Sequence, residues 1–145
     1  TPYLIISDKM IYALQMAAKR GVDVRLITPG IPDKKIVYRI TRSYYKDLLK
    51  DGIRVYEYKP GFLHAKSFVC DDQIAVVGTI NLDYRSLYLH FECATLLYKS
   101  GSIKSIKSDV TLTMLDSQEV KLTDCKQSFW GELFDAVLHL FAPLM

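Results

Sequence analysis

The sequence lacks any long apolar run and contains few cysteines. No stretch of about 18 uninterrupted apolar residues occurs, so no segment is predicted to span a bilayer. The three cysteines, Cys70, Cys93 and Cys125, are scattered without a C-x-x-C spacing. This arrangement excludes a zinc-finger motif and a disulfide framework, and it is typical of a reducing compartment.

The remaining composition is that of a globular chain with one core. Half of the 145 residues are apolar and about a quarter are charged. The net charge of +3 is compatible with an anionic partner but does not require one. The first residues, 1–6, contain no methionine and enter an apolar run at once. We therefore expect a fragment whose N-terminal part is missing.

Alternating helical and extended patterns predict an α/β sandwich. Ser7 or Asp8 can cap a helix that ends near Lys19, and Gly21 is a helix stop. Strands are predicted at 22–27, 53–58, 62–70, 73–77 and 91–98. Helices are predicted at 36–49, 103–115 and 128–140, and the second has an inner stripe of Val37, Thr41, Tyr44, Tyr45 and Leu48.

The most informative pattern is H-x-K-x4-D-x6-G-[ST]-x-N. Its specified positions are His64, Lys66, Asp71, Gly78, Thr79 and Asn81. Residue types fixed at this many spacings make a specific motif. Side chains two apart on a strand share a face, so His64 and Lys66 are expected to point the same way. Asp71 falls at the hairpin turn, and Gly78 lets another group or a ligand approach the backbone.

These residue types suit attack on a phosphodiester. A neutral imidazole can attack the anionic phosphorus and form a phosphohistidine. Lys66 and Asn81 would offset the charge that develops on the phosphoryl oxygens. The leaving alkoxide needs a general acid, and one histidine cannot act from both sides of the phosphorus. Two histidines are therefore needed, yet the motif occurs once.

Two carboxylates near the motif have alternative interpretations. Glu92, at the start of a predicted strand, can hydrogen-bond the far ring nitrogen of His64 and fix its tautomer. It can equally be a glutamate at a strand edge. Asp71 is as readily explained by the turn as by catalysis.

Two helices present surfaces with possible membrane roles. Basic residues recur along one side of the second predicted helix: Arg39, Arg42, Lys46 and Lys50. Such a stripe suits anionic headgroups, although a solvated face is the common alternative. The last helix has a broad apolar face, with Glu132 and Asp135 on its polar face. Packing onto the core and lying in a membrane interface both remain open.

The motif resembles the signature of the phospholipase D superfamily, with Thr79 in place of the usual serine. Residues 81–86, Asn-Leu-Asp-Tyr-Arg-Ser, and residues 90–92, His-Phe-Glu, are similar to the N-x-D-x-R-S and N-F-E stretches of bacterial cardiolipin synthases. His90 stands where that pattern prefers asparagine. The resemblance covers essentially the whole chain and is to the second half of these enzymes.

The resemblance implies a mixed-sheet α/β sandwich with helices on both sides, one of two pseudo-repeated halves. It implies transfer of a phosphatidyl group between two phosphatidylglycerols through a phosphohistidine, without metal or organic cofactor. His64 would be nucleophile or general acid, with Asp71 also in the motif and Glu92 supporting the histidine. The residues expected to bind phosphate or substrate are Lys66, Thr79, Asn81 and Arg85.

The resemblance also implies partners and a location. The partners are phosphatidylglycerol, an anionic phospholipid membrane, and either the missing first half or a second copy. Nucleic acid is not expected, but a homodimeric nuclease with the same motif is the alternative. The location implied is the bacterial inner membrane, with the catalytic part on its cytoplasmic side. We expect a catalytic half-domain at 1–100, a helix and polar connector at 101–127, and an amphipathic helix at 128–145.

Overall fold

The computed structural model describes residues 1–126 and 128–141 as alternating strands and helices. The strands are β1 (Leu4–Ile5), β2 (Arg25–Pro29), β3 (Arg54–Tyr58), β4 (Ser67–Cys70), β5 (Ile74–Gly78), β6 (Leu82–Asp83), β7 (Ala94–Tyr98) and β8 (Ser117–Glu119). The helices are α1 (Asp8–Lys19), α2 (Lys35–Ser43), α3 (Tyr45–Lys50), α4 (Ser102–Leu115) and α5 (Phe129–Leu140). A π-helical turn covers Arg85–Leu89 and a 3-10 turn covers Leu122–Cys125.

Parallel and antiparallel pairing are both present, which confirms the mixed α/β architecture. β1 pairs in parallel with β6, and β2 pairs in parallel with β3. β8 adds to β3 in the antiparallel direction. β4, β5 and β7 form an antiparallel sheet in that order. The polar segment after α4, which the sequence left unassigned, therefore supplies an edge strand.

The core lies between the sheet of β2 and β3 and the pair α2 and α3. Of the predicted inner stripe, Thr41, Tyr44, Tyr45 and Leu48 are buried and Val37 is half-buried. The buried Tyr45 hydroxyl lies 2.6 Å from the Thr28 hydroxyl, so its polar end is satisfied inside the core. This stripe fixes the helices against the sheet.

The helix predicted at 36–49 is broken into α2 and α3 at Tyr44. Ser43 donates its hydroxyl to the carbonyl of Ile40 at 2.6 Å, a back-bond that bends helices. The α1 prediction is confirmed, with Ser7 accepting from the Met10 N–H as its cap.

β2, predicted at 22–27, lies at Arg25–Pro29, and β4 and β7 also begin later than predicted, for one shared reason. β5 ends at Gly78, which is paired with Ala94 of β7, and Lys66 accepts from the Gly78 N–H at 3.3 Å. Residues before Lys66 and before Ala94 therefore have no neighbouring strand to pair with. His64, Lys66 and Glu92 consequently lie in loops that lead into the strands.

The predicted C-terminal helix is confirmed as α5, capped by Ser128, which accepts from the Gly131 N–H at 3.3 Å. Residues 142–145, which carry part of the resemblance, lie outside the described residues. Within residues 1–126 and 128–141, no helix is both long and apolar enough to cross a bilayer.

Candidate active site

The motif lines an open cavity between the ends of β4 and β5 and one side of α4. The cavity has a volume of about 710 Å³ and is lined by His64, Ala65, Lys66, Ser67, Val77, Gly78, Thr79, Ser105, Ile106 and Asp109. His64 is exposed at this cavity, and its ring lies 5.4 Å from the ring of Phe62. The imidazole is therefore accessible to a ligand from solvent.

Lys66 is held beside His64 by the backbone. Its ammonium donates to the carbonyl oxygen of His64 at 2.8 Å. Partial burial lowers the pKa of Lys66, and the charges of Glu92 and Asp83 oppose that effect. The ammonium thus lies within the electrostatic reach of both carboxylates and close to the mouth of the cavity.

Thr79 joins the end of β5 to the loop that precedes β7. Its hydroxyl donates to the Glu92 carboxylate and accepts from the Cys93 N–H at 3.0 Å. Its own N–H donates to the Cys93 carbonyl at 2.9 Å. The Thr79 hydrogen bond, with smaller contributions from Ser86, His90 and Lys66, holds the pKa of Glu92 below its ordinary value. Glu92 is therefore ionised at neutral pH.

Support of His64 by Glu92 stays a prediction, and the contacts of Glu92 in this structure are with other residues. In the described part of the chain, no hydrogen bond joins these two side chains. Glu92 Oε1 lies 4.0 Å from Nδ1 of His90, whose Nε2 lies 3.2 Å from Arg85 Nη2. The carboxylate thus contacts Thr79 and His90. Spacing in the sequence alone could not distinguish His90 from His64 as its neighbour.

Asn81 is positioned by the turn that follows it. Its Nδ2 donates to the Ser86 hydroxyl at 3.1 Å, and the Ser86 N–H donates to the buried Asp83 carboxylate at 2.7 Å. The Asn81 Oδ1 atom is buried and has no donor among the residues described. Asp83 and Ser86 thus set the position of Asn81. Both residues belong to the N-x-D-x-R-S stretch, but its spacing alone does not predict this role.

Asp71 lies away from the cavity. It occupies the turn at the other end of β4, roughly 20 Å along the extended chain from His64. Asp71 and Asp72 have φ angles of 49° and 56°, and the Gln73 N–H donates to the Cys70 carbonyl. Cys70 pairs with Ile74, so the hairpin loop has three residues, and two of them adopt the positive φ that aspartate tolerates. Asp71 is not among the residues that line the cavity, and the turn accounts for the residue; a catalytic role for Asp71 stays a prediction.

Gly78 is required by a neighbouring strand rather than by a ligand. A Cβ atom at this position would lie 2.3 Å from the Cys93 carbonyl oxygen and 2.5 Å from Ala94 Cα. The prediction that another group approaches the Gly78 backbone is confirmed, and that group is the start of β7.

The sequence matches the family described as "Cardiolipin synthase, PLD-like domain" over residues 1–111. The chain belongs to this phospholipase D-like family. A Streptococcus mutans protein named only as uncharacterized is 51% identical over the whole chain, and a cardiolipin synthase of Alkalihalophilus pseudofirmus is 38% identical. The chain spans 32% and 29% of the lengths of these relatives.

Two solved structures share the fold. The phospholipase D family member Nuc of Salmonella typhimurium superposes with a TM-score of 0.68 at 17% identity, covering 82% of this chain and 78% of that chain. The phosphatidylserine synthase of Haemophilus influenzae superposes with a TM-score of 0.75 at 16% identity, covering 99% of this chain and 38% of that chain. At these identities the likeness establishes the fold alone.

The phospholipase D-like motif accounts for one wall of the cavity, and α4 supplies another. Ser105, Ile106 and Asp109 lie on one side of this helix and face the motif. The sequence predicts the helix from its apolar spacing, but no motif marks its polar residues as part of a site. Within the described residues, no three His, Cys, Asp or Glu side chains are grouped closely enough to hold a metal ion.

Each basic residue of the stripe forms an ion pair within the protein, and its side chain stays 38–54% exposed. Arg39 pairs with Asp135 at 2.5 Å, and Lys46 pairs with Glu132 at 2.7 Å, both across to α5. The two remaining pairs are Arg42 with Glu57 at 3.3 Å and Lys50 with Asp47 at 2.9 Å. Two of the four basic residues therefore pair with α5, and the other two pair elsewhere.

Proposed function

We propose that the chain is the half of a cardiolipin synthase that contributes His64 to a phosphatidyl transfer between two phosphatidylglycerols. One observation carries the proposal: in a chain of this family, His64, Lys66 and Thr79 line one open cavity. The names of relatives such as that of Alkalihalophilus pseudofirmus support phospholipid as the substrate class.

The chemistry follows from the residue types. In the first step a neutral imidazole nitrogen of one histidine forms a bond to phosphorus while the bond from phosphorus to the headgroup glycerol oxygen breaks. The imidazolium of the other histidine gives that oxygen its proton. In the second step the hydroxyl of another phosphatidylglycerol attacks phosphorus and displaces the imidazole. The released proton returns to the other histidine. Lys66 and Asn81 are proposed to stabilise the equatorial oxygens.

His64 acts here as nucleophile or as acid, and the other role belongs to a second histidine. His90 and His139 are the only other histidines of the chain, and neither is followed by lysine two residues later. We propose that the partner motif, the first of the two, comes from the part of the protein outside this chain. The longer relatives leave ample length for it, since the chain spans only about a third of them. The proposed location is the inner membrane, on its cytoplasmic side.

A homodimeric phosphodiesterase is the second candidate. It is favoured by the single occurrence of the motif, because a second copy of the chain is one source of the second histidine. Two copies of His64 facing each other would then supply both histidines.

Product analysis separates the candidates. The chain is incubated with phosphatidylglycerol or with DNA, alone and with the part of the Alkalihalophilus pseudofirmus relative that lies outside the matched region. Cardiolipin and glycerol should form only with the added half and should disappear in His64→Ala. The matched control His90→Asn, which restores the residue that the family pattern prefers, should retain activity. DNA cleavage by the chain alone, or absence of cardiolipin with both folded polypeptides, would contradict the proposal.

A further inference from the structure

Helix α5 packs on the protein with its polar face, and its apolar face is exposed. The exposed large side chains of this helix and of its C-cap define the apolar face of α5: Phe129, Trp130, Leu133, Phe134, Val137, Leu140 and Phe141. At 3.6 residues per turn they cover an arc of about 140°. Asp135, on the opposite side, is buried at 6% exposure. The helix therefore buries a carboxylate and leaves its aromatic side uncovered.

Specific polar contacts fix this orientation. Asp135 accepts from Arg39 Nε at 2.5 Å, and Arg39 Nη2 also donates to the Gly131 carbonyl at 3.2 Å. His139 Nε2 lies 2.6 Å from the Ser43 hydroxyl, and its ring stacks on Tyr44 with centroids 4.6 Å apart. A buried carboxylate is tolerated only with such partners. Turning the apolar face inward would break all of these contacts.

The uncovered face has the chemistry of a membrane surface rather than of a protein interface. Protein interfaces carry about one hydrogen bond for every 100–200 Å². The apolar face of α5 offers a single side-chain donor, the indole of Trp130, and otherwise only hydrocarbon. Aromatic and aliphatic side chains on one side of a short helix are characteristic of segments that lie in the headgroup region.

Charge around this face also fits an anionic bilayer. Helices α2, α3 and α5 together contain five basic and three acidic residues. The two acidic residues of α5, Glu132 and Asp135, are each paired with a basic residue of α2 or α3. The repulsion expected from the acidic residues of α5 is thus cancelled. With Glu57, which pairs with Arg42, the count is five basic and four acidic residues, an excess of one positive charge.

We infer that the apolar face of α5 inserts into the interface of an anionic phospholipid bilayer and attaches the protein to it. The choice of a bilayer as the occupant rests on the proposed phosphatidyl transfer. The role assigned to α5 is attachment, and none of its residues is placed in the chemistry.

Trp130 provides a direct test, because it is the only tryptophan of the chain. Vesicles of phosphatidylglycerol and phosphatidylcholine in equal parts should shift its emission to the blue, and brominated lipids should quench it. The double variant Leu133→Ser with Leu140→Ser should weaken vesicle binding by about tenfold for each leucine. The matched control is Leu112→Ser with Leu115→Ser on α4, where Leu115 is 76% exposed against 77% for Leu140. It should bind as the parent chain does.

Unchanged Trp130 emission with vesicles, or equal loss of binding in both double variants, would overturn the inference. A blue-shifted emission without vesicles, accompanied by dimerisation in sedimentation velocity, would overturn it in favour of a second copy. Turnover of short-chain, monomeric phosphatidylglycerol with the added half tests the proposed function separately. It should be the same in the α5 variant and the parent. Absence of this turnover from the parent chain would count against the proposed function. Vesicle binding would still test the role assigned to α5.

Discussion

The Thr79 hydroxyl donates a hydrogen bond to the Glu92 carboxylate and so connects the end of β5 with the loop before β7. This bond is the main reason that the pKa of Glu92 lies below the ordinary value of 4.5. We predict that Thr79→Ala raises that pKa, whereas Thr79→Ser leaves it nearly unchanged. A carbon-13 NMR titration of the glutamate carboxyl groups measures both.

The sign of the accompanying stability change follows from linkage. A pKa depressed in the folded state contributes stability that is complete above the unfolded value and is lost as pH falls through the folded value. The destabilisation of Thr79→Ala relative to the parent should therefore be present above pH 4.5 and shrink below it. Urea unfolding across this range measures the difference. Identical titration of the alanine and serine variants would show that the hydroxyl is not responsible.

Gly78 has no room for a side chain, since an added Cβ would lie 2.3 Å from the Cys93 carbonyl oxygen. We predict that Gly78→Ala lowers the free energy of unfolding by about 1–3 kcal/mol, because β7 must move away from β5. Gly61→Ala is the control, since no atom lies within 4 Å of its added Cβ. Equal stability of the two variants in urea would mean that β7 adapts without cost.

The sequence predicted some parts of the fold and the site, while other parts depend on contacts that only the structure shows. The inner stripe of α2 and α3 followed from helical spacing, and the Asp71 turn followed from residue preference. The late start of β4 and β7 did not, because it depends on where β5 ends. The partner of Glu92 was also beyond prediction, since His64 and His90 are equally plausible until the loop before β7 is placed. Burial of Asp135 against Arg39 could not be foreseen, because a polar helix face normally predicts solvent.

The position of Asp71 separates its turn role from a chemical role. Its φ of 49° is tolerated by asparagine but costs a β-branched residue about 1–2 kcal/mol. We predict that Asp71→Asn retains stability and retains cardiolipin formation with the added half, whereas Asp71→Val loses stability. Thermal unfolding and product analysis provide the two measurements. A folded Asp71→Asn chain without activity would contradict the assignment to the turn.

The ion pair of Arg39 with Asp135 should determine how firmly α5 is held. Asp135→Asn leaves the shape of the side chain but removes the charge that Arg39 faces at 2.5 Å. We predict a loss of about 1–3 kcal/mol, less than for a fully buried pair because the Arg39 side chain is 43% exposed. Hydrogen exchange of the α5 amides should accelerate accordingly. Glu132→Gln is the matched control, because its pair with Lys46 is half exposed on both sides and solvent screening should make its contribution smaller. Equal exchange in the two variants would mean that α5 is held by contacts other than Asp135, and the reason given for its outward apolar face would fail.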